Sequence, residues 1–122
     1  MAIASDIMKG GVPAFLARAI GGQVQSAVTA AGTTITTATD LTASINVVTT
    51  AAASSGVQLP QVQVGDSVEI LNLGANPVTV YPDSASNRIN ALSTGSGFLL
   101  ATNTAVVLRK FTSTRWAGFL SA

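Results

Sequence analysis

Residues 65–82 run Gly65-Asp66-Ser67-Val68-Glu69-Ile70-Leu71-Asn72-Leu73-Gly74-Ala75-Asn76-Pro77-Val78-Thr79-Val80-Tyr81-Pro82, and their alternation decides the fold class. Val68 and Ile70 fall on one face of an extended segment over 67–73. Val78 and Val80 share a face of a second segment over 78–81, opposite them. Gly74-Ala75-Asn76-Pro77 supplies turn chemistry between the two. Gly and Asn tolerate positive φ, while Pro77 fixes its own φ and removes a donor at the strand start. The stretch reads as a half-buried β-hairpin without a reactive side chain.

Upstream, the composition turns to Thr, Ala and Val, and Thr and Val are stiff at Cβ and favour strands. Strands are expected over 24–29 and 33–37, around Ala31-Gly32. In Thr33-Thr34-Ile35-Thr36-Thr37 only Ile35 is strongly apolar, which places that strand at an edge or a subunit contact. Over 43–49, Ile45 and Val47 point one way and Ser44 and Asn46 the other. Residues 51–56 form a surface loop, and 56–60 a short apolar strand ended by Pro60. Downstream, 83–87 is a polar, solvated turn, Arg88-Ile89-Asn90 is briefly extended, and Gly95-Ser96-Gly97 separates Leu92 from Phe98-Leu99-Leu100. A closing hairpin joins 104–111 to 115–120, where Phe111, Trp116 and Phe119 are expected to dominate burial. Short, closely spaced strands without a long helical pattern give an all-β fold. A small β-sandwich or barrel with jelly-roll-like strand order is expected.

Residues 1–22 differ from the β domain of 23–122. Gly10-Gly11 and Gly21-Gly22 divide them into short pieces. Pro13 suits a first helical position, and Phe15, Leu16, Ala19 and Ile20 form an apolar stripe that Gly21 ends. So short a helix is marginal alone in water and must dock. The helix packs on its own domain or, as the glycine hinges on both sides favour, reaches a neighbouring subunit as an arm, with Ile3, Ile7, Pro13, Phe15, Leu16 and Ile20 as its candidate contacts.

Only 9% of the 122 residues are charged, six basic against five acidic, where an ordinary globular chain has roughly 25%. The shortage points to a surface shared with other protein. No like-charge block marks a nucleic-acid or anionic-membrane footprint. The uncharged stretch between Leu41 and Gly65 is too rich in Thr, Ser, Asn and Gln for a membrane span. Asp6 and Lys9 near the start, with no continuous apolar run, do not make a secretory leader.

Cysteine and histidine are absent, which removes disulfides and the usual neutral-pH base and zinc ligand. Asp66 and Glu69 stand three apart, on opposite faces of a strand, and do not form a glycosidase pair. Ser96 lacks a nucleophile elbow and a base, and no Gly-Lys-Ser/Thr follows the glycine pairs. Asp83-Ser84-Ala85-Ser86-Asn87 offers one carboxylate, too few for calcium. No catalytic residue, metal or cofactor is expected.

Several strings together carry a resemblance: 35–42 (Ile-Thr-Thr-Ala-Thr-Asp-Leu-Thr), 56–60 (Gly-Val-Gln-Leu-Pro), 65–72, 78–82, 88–92 (Arg-Ile-Asn-Ala-Leu) and the terminal Trp116. Over about residues 24–120 the chain resembles small tailed-bacteriophage virion proteins, the capsid decoration (cement) and head-fibre proteins, with related domains in tail fibres. The resemblance implies a β-rich module, often trimeric, on the outer surface of the capsid over joints between major capsid proteins, with no catalytic residues. In that setting Ile35, Tyr81 and Trp116 are the candidate subunit contacts of the β domain. A head-fibre base or tail-fibre module is the alternative. A carbohydrate-binding domain, stacking sugars on Tyr81 and Trp116, is a further one.

Overall fold

The computed structural model describes residues 24–120. Ten strands are defined there: β1 (Val24–Ala30), β2 (Thr39–Asp40), β3 (Ile45–Ala51), β4 (Gly56–Gln58), β5 (Ser67–Asn72), β6 (Val78–Tyr81), β7 (Arg88–Ile89), β8 (Phe98–Leu100), β9 (Thr104–Thr112) and β10 (Arg115–Leu120). The fold is all-β, as expected, and the described residues contain no helix. The expected helix of the arm, with Ile3, Ile7, Pro13, Phe15, Leu16 and Ile20, lies outside the described residues.

The strands form two sheets, one ordered β1-β3-β5-β9-β10-β7 and the other β2-β4-β6-β8. Through β6 the chain alternates between them. β1, β3 and β5 stack in parallel in the first sheet, and β2, β4 and β6 stack in parallel in the second. The winding is solenoid-like, whereas a jelly roll is built from antiparallel Greek keys. Antiparallel pairing begins only at the end: β8 lies on β6, β9 on β5, and β10 returns along β9. These late strands cover edges that the third coil would otherwise leave bare.

One core joins both sheets. Val28, Val48, Val68, Ile70, Val106, Leu108 and Trp116 meet Val57, Val78, Val80 and Leu100 in a single buried cluster. Val68, Ile70, Val78 and Val80 are wholly enclosed, so the alternation over 65–82 identified the right side chains. It misassigned how the two strands are joined. β5 and β6 belong to different sheets and do not pair, so 73–77 is an arch across the core and not a hairpin turn. Two facing strands and two paired strands bury the same alternate residues, which is why periodicity alone does not separate them.

The arch works because buried amides replace the missing ladder partners. Asn72 is fully buried; its Nδ2 donates to the carbonyls of Asn76 and Leu100, both at 3.0 Å, and its Oδ1 accepts from Gly74 N–H at 2.9 Å. Asn76 Nδ2 donates to Ala51 O at 2.9 Å, tying the arch to the coil before it, and the Thr102 hydroxyl donates to Gly74 O. A Cβ on Gly74 would stand 2.7 Å from that of Ala51, so the close approach needs glycine.

One further expectation is corrected. Residues 33–37 form a turn: Thr37 Oγ1 accepts from the N–H groups of Thr33 and Thr34 at 3.2 and 3.1 Å, and Ala38 N–H donates to Thr34 O at 2.9 Å. Threonine hydroxyls offer the backbone this local alternative to a ladder. In β3 Ile45 and Val47 share one side and Asn46 the other, as expected, and it is the side of Asn46 and Val48 that is enclosed, with Ile45 and Val47 half-buried on the outer side. Asn46 Nδ2 finds the carbonyls of Ala43 and Glu69 at 2.9 and 3.3 Å, which makes its inward placement tolerable.

Replacing Asn72 removes three bonds and orphans buried groups at the arch. Asn72→Ala is expected to cost about 2–4 kcal/mol, read as a shift of the urea unfolding midpoint, while a surface control such as Thr49→Ala moves it by less than about 0.5 kcal/mol.

Candidate functional site

Chemistry-bearing side chains converge at Asp83, just after β6. Its side chain is almost fully enclosed. Oδ2 accepts from Lys110 Nζ at 2.7 Å, and Oδ1 accepts from Asn87 Nδ2 at 2.7 Å and Trp116 Nε1 at 3.0 Å. The Asp83 carbonyl accepts from Gln61 Nε2 at 2.8 Å. Lys110 Nζ also lies 5.9 Å from the centre of the Trp116 ring, within cation–π range. Burial pushes the Asp83 carboxyl up, but the bonds from Asn87, Lys110 and Trp116 and the Lys110 charge outweigh it, holding the group below its usual range. The carboxylate is thus kept ionised with its lone pairs occupied, which suits a fastener between segments. It joins the β4–β5 loop, the β6–β7 loop, β9 and β10.

This cluster corrects two expectations. The 83–87 turn is not solvated at Asp83 and Asn87, which are 4% and 7% exposed. The Lys110 and Trp116 end of the closing hairpin faces inward as well. Phe111 and Phe119 do not join Trp116 inside and are 47% and 65% exposed. Alternation along β9 and β10 puts every second residue on the outer face, and these two fall there.

Among the described residues the other carboxylates form no constellation. Asp66 Oδ2 accepts from the Gln63 N–H at 3.1 Å within a tight turn, and Glu69 is exposed on the outer sheet face. Among the described residues no group of three His, Cys, Asp or Glu side chains is placed to hold a metal. An open apolar groove of about 420 Å³ lies among Leu92, Phe98, Val106 and Leu120. Its one polar lining side chain, Asn90, accepts through Oδ1 from Gly118 N–H at 3.0 Å, and the rest of its lining side chains are apolar.

The most extended surface feature is the outer face of the six-stranded sheet. Register places Val24, Ile45, Glu69, Val107 and Phe119 in one row across five strands. Val47, Leu71 and Ala105 form the next row, and Ser67, Arg109 and Ala117 the row on the other side. Val24, Val107 and Phe119 are exposed, and Ile45, Val47 and Leu71 half-buried. These three rows are apolar except for Ser67, Glu69 and Arg109; beyond them the same face carries Thr49 on β3 and the in-register pair Arg88 and Arg115 on β7 and β10.

The candidate contacts of the β domain do not come together. Ile35 is half-buried in the 33–37 turn. Tyr81 is half-buried on β6; its hydroxyl donates to Thr33 O at 3.0 Å and its ring lines a shallow hollow with Pro77 and Leu99. Trp116 is fully enclosed, so it serves the interior, and neither a subunit contact nor sugar stacking is open to it. The outer-face row escaped sequence reasoning because its members sit on five strands whose register only the fold defines. Its trace in the sequence is the run of apolar residues on both parities in Ile45-Asn46-Val47-Val48 and Val68-Glu69-Ile70-Leu71.

No family model, curated protein or solved structure matches the chain.

The Asp83 carboxyl has a lower pKa folded than unfolded. Its contribution is therefore complete above the unfolded value of about 3.9 and is lost as pH falls through the folded one. Stability is expected to be level from pH 5 upward in this respect and to fall below about pH 4, with Asp83→Asn lacking that loss in denaturant titrations. At pH 7 Asp83→Asn strands the Lys110 charge and is expected to cost about 3–5 kcal/mol. Adding Lys110→Met should recover part of that cost, since the stranded charge goes with it.

Proposed function

We propose that this chain is a structural virion protein of the capsid-decoration type, a rigid β module that binds over joints between major capsid proteins on the outer surface of a phage head. The reading takes it as a homotrimer that reinforces the shell and performs no reaction. The observation that carries it is the apolar outer face of the six-stranded sheet. Parallel sheets are ordinarily covered on both faces. In β3 and β5, Val48, Val68 and Ile70 fill the core while Ile45, Val47 and Leu71 occupy the opposite side. Such a side is made for contact with protein, and a chain with 9% charged residues has little else to present to water.

The sequence resemblance over about 24–120 supplies the phage setting. Two sheets around one core serve as the sandwich-like body, and residues 1–22 serve as the anchor to the shell. Ile3, Ile7, Pro13, Phe15, Leu16 and Ile20 are the side chains that would seat there. Attachment through several copies at once turns modest single contacts into firm binding. A head-fibre base or tail-fibre module shares this physics and differs in its place on the particle. Labelled virions in electron micrographs separate the two: label over the head supports decoration, and label confined to the tail overturns it.

Removing residues 1–22 is expected to leave the β-domain circular dichroism in place and to weaken binding to purified heads about tenfold or more, as loss of an anchor should. An unfolded truncated chain would place that segment in the core instead. Light scattering of the full chain is expected to approach three times the 12.2 kDa chain mass at high micromolar concentration.

A further inference from the structure

We infer that the outer face of the six-stranded sheet is where copies of this chain dock on one another, with Glu69 of one copy against Arg109 of the next. The inference rests on the oligomeric reading above and names the surface that it uses.

Glu69 pairs in register with Val107, and Ser67 with Arg109, so Glu69 and Arg109 are diagonal neighbours on one face. Both are exposed. Arg109 Nε donates to Ser67 Oγ at 3.2 Å, and the ion pair found among the described residues is Lys110 with Asp83, not these two. Around them stand Ile45, Val47, Leu71, Val107 and Phe119. The central rows therefore carry one charge of each sign in an apolar field, with Arg88 and Arg115 beyond them at the β7–β10 end of the face. A basic partner would satisfy Glu69 and strand Arg109; an acidic one would do the reverse; an apolar one would strand both. A second copy of the same face satisfies both. Around a cyclic axis the Glu69 side of one copy meets the Arg109 side of the next, and the ring closes with neither of these two charges left over.

The size of the face sets the strength. From β1 to β10 it crosses four strand spacings, about 19 Å, and residues 67–73 run about 20 Å. With its margins the footprint is on the order of 500 Å² per copy, below the roughly 800 Å² of a standard stable interface. Association of the free chain is therefore reversible and rises with concentration. It becomes firm where a shell holds several copies side by side.

Sedimentation velocity of the full chain across the micromolar range tests this, with near-ultraviolet dichroism of the buried Trp116 reporting that each variant is folded. Glu69→Arg and Arg109→Glu alone are each expected to weaken self-association about tenfold or more, and the double exchange to restore it to within about threefold. Undiminished association in both single variants, or a double variant no better than the singles, overturns the assignment of the face. A chain that stays monomeric throughout overturns it as well, while binding to heads, measured separately, still decides the decoration reading. Dimers that follow the same charge-exchange pattern support the face and overturn the trimer.

Discussion

Each time the chain leaves one sheet for the other, its backbone groups lose their ladder partners at the edge of a closed core. Asn72 meets that constraint where it is most severe. Its two amide hydrogens take the carbonyls of Asn76 and Leu100, and its oxygen takes the Gly74 N–H, so one side chain stands in for a missing strand end. Because Leu100 belongs to β8, the same residue that turns the arch also fixes the strand that closes the second sheet. Asn46 has a related task earlier, reaching Ala43 and Glu69. Apolar burial supplies the driving force, but it does not choose between an arch and a hairpin. The buried amides do.

Asp83 closes what Asn72 opens. The winding through β6 leaves a loop that must be joined to the antiparallel β9 and β10, and the carboxylate does so by accepting from both strands and from Asn87 at once. A buried ion pair is weak as a net source of stability, since desolvation offsets much of the attraction. Its strength lies in discrimination: a slip of β10 by one residue turns Trp116 outward and leaves Asp83 without one donor. Placing two of the few charged residues inside leaves still fewer for the surface, which sharpens the contrast between the apolar central rows of the outer face and the Glu69–Arg109 diagonal within them.

The sequence made strand existence legible where alternation and turn residues agree. Gly56-Val57-Gln58, Arg88-Ile89 and the closing hairpin all lie where the pattern puts them. Pairing was not legible, because Val68, Ile70, Val78 and Val80 are buried alike in an arch or a hairpin. The signal for an arch was Asn72 itself, an amide at an inward position where a hairpin strand would carry an apolar residue. Residues 33–37 misled because threonine suits both strands and hydroxyl-stabilised turns, and local bonding won. In β3 alternation separates Ile45 and Val47 from Asn46 without saying which side is inward; a sheet with both faces apolar offers two parities, and only neighbouring coils choose. Asp83 passed for a turn residue, since its donors come from Asn87 close by and from Lys110 and Trp116 far along the chain. The outer face was hidden for the same reason, being assembled from β1, β3, β5, β9 and β10.

The order of the strands also bears on how the chain is made. The parallel coils can wind as soon as they emerge, but β5 and β6 have open sides until β8 and β9 are synthesised. Until Lys110 and Trp116 follow, Asp83 has only part of its shell. A nascent chain thus passes through a stage in which unpaired strand edges and a half-coordinated carboxylate are exposed together, the kind of intermediate that recruits chaperones or pairs with its neighbours on the same message.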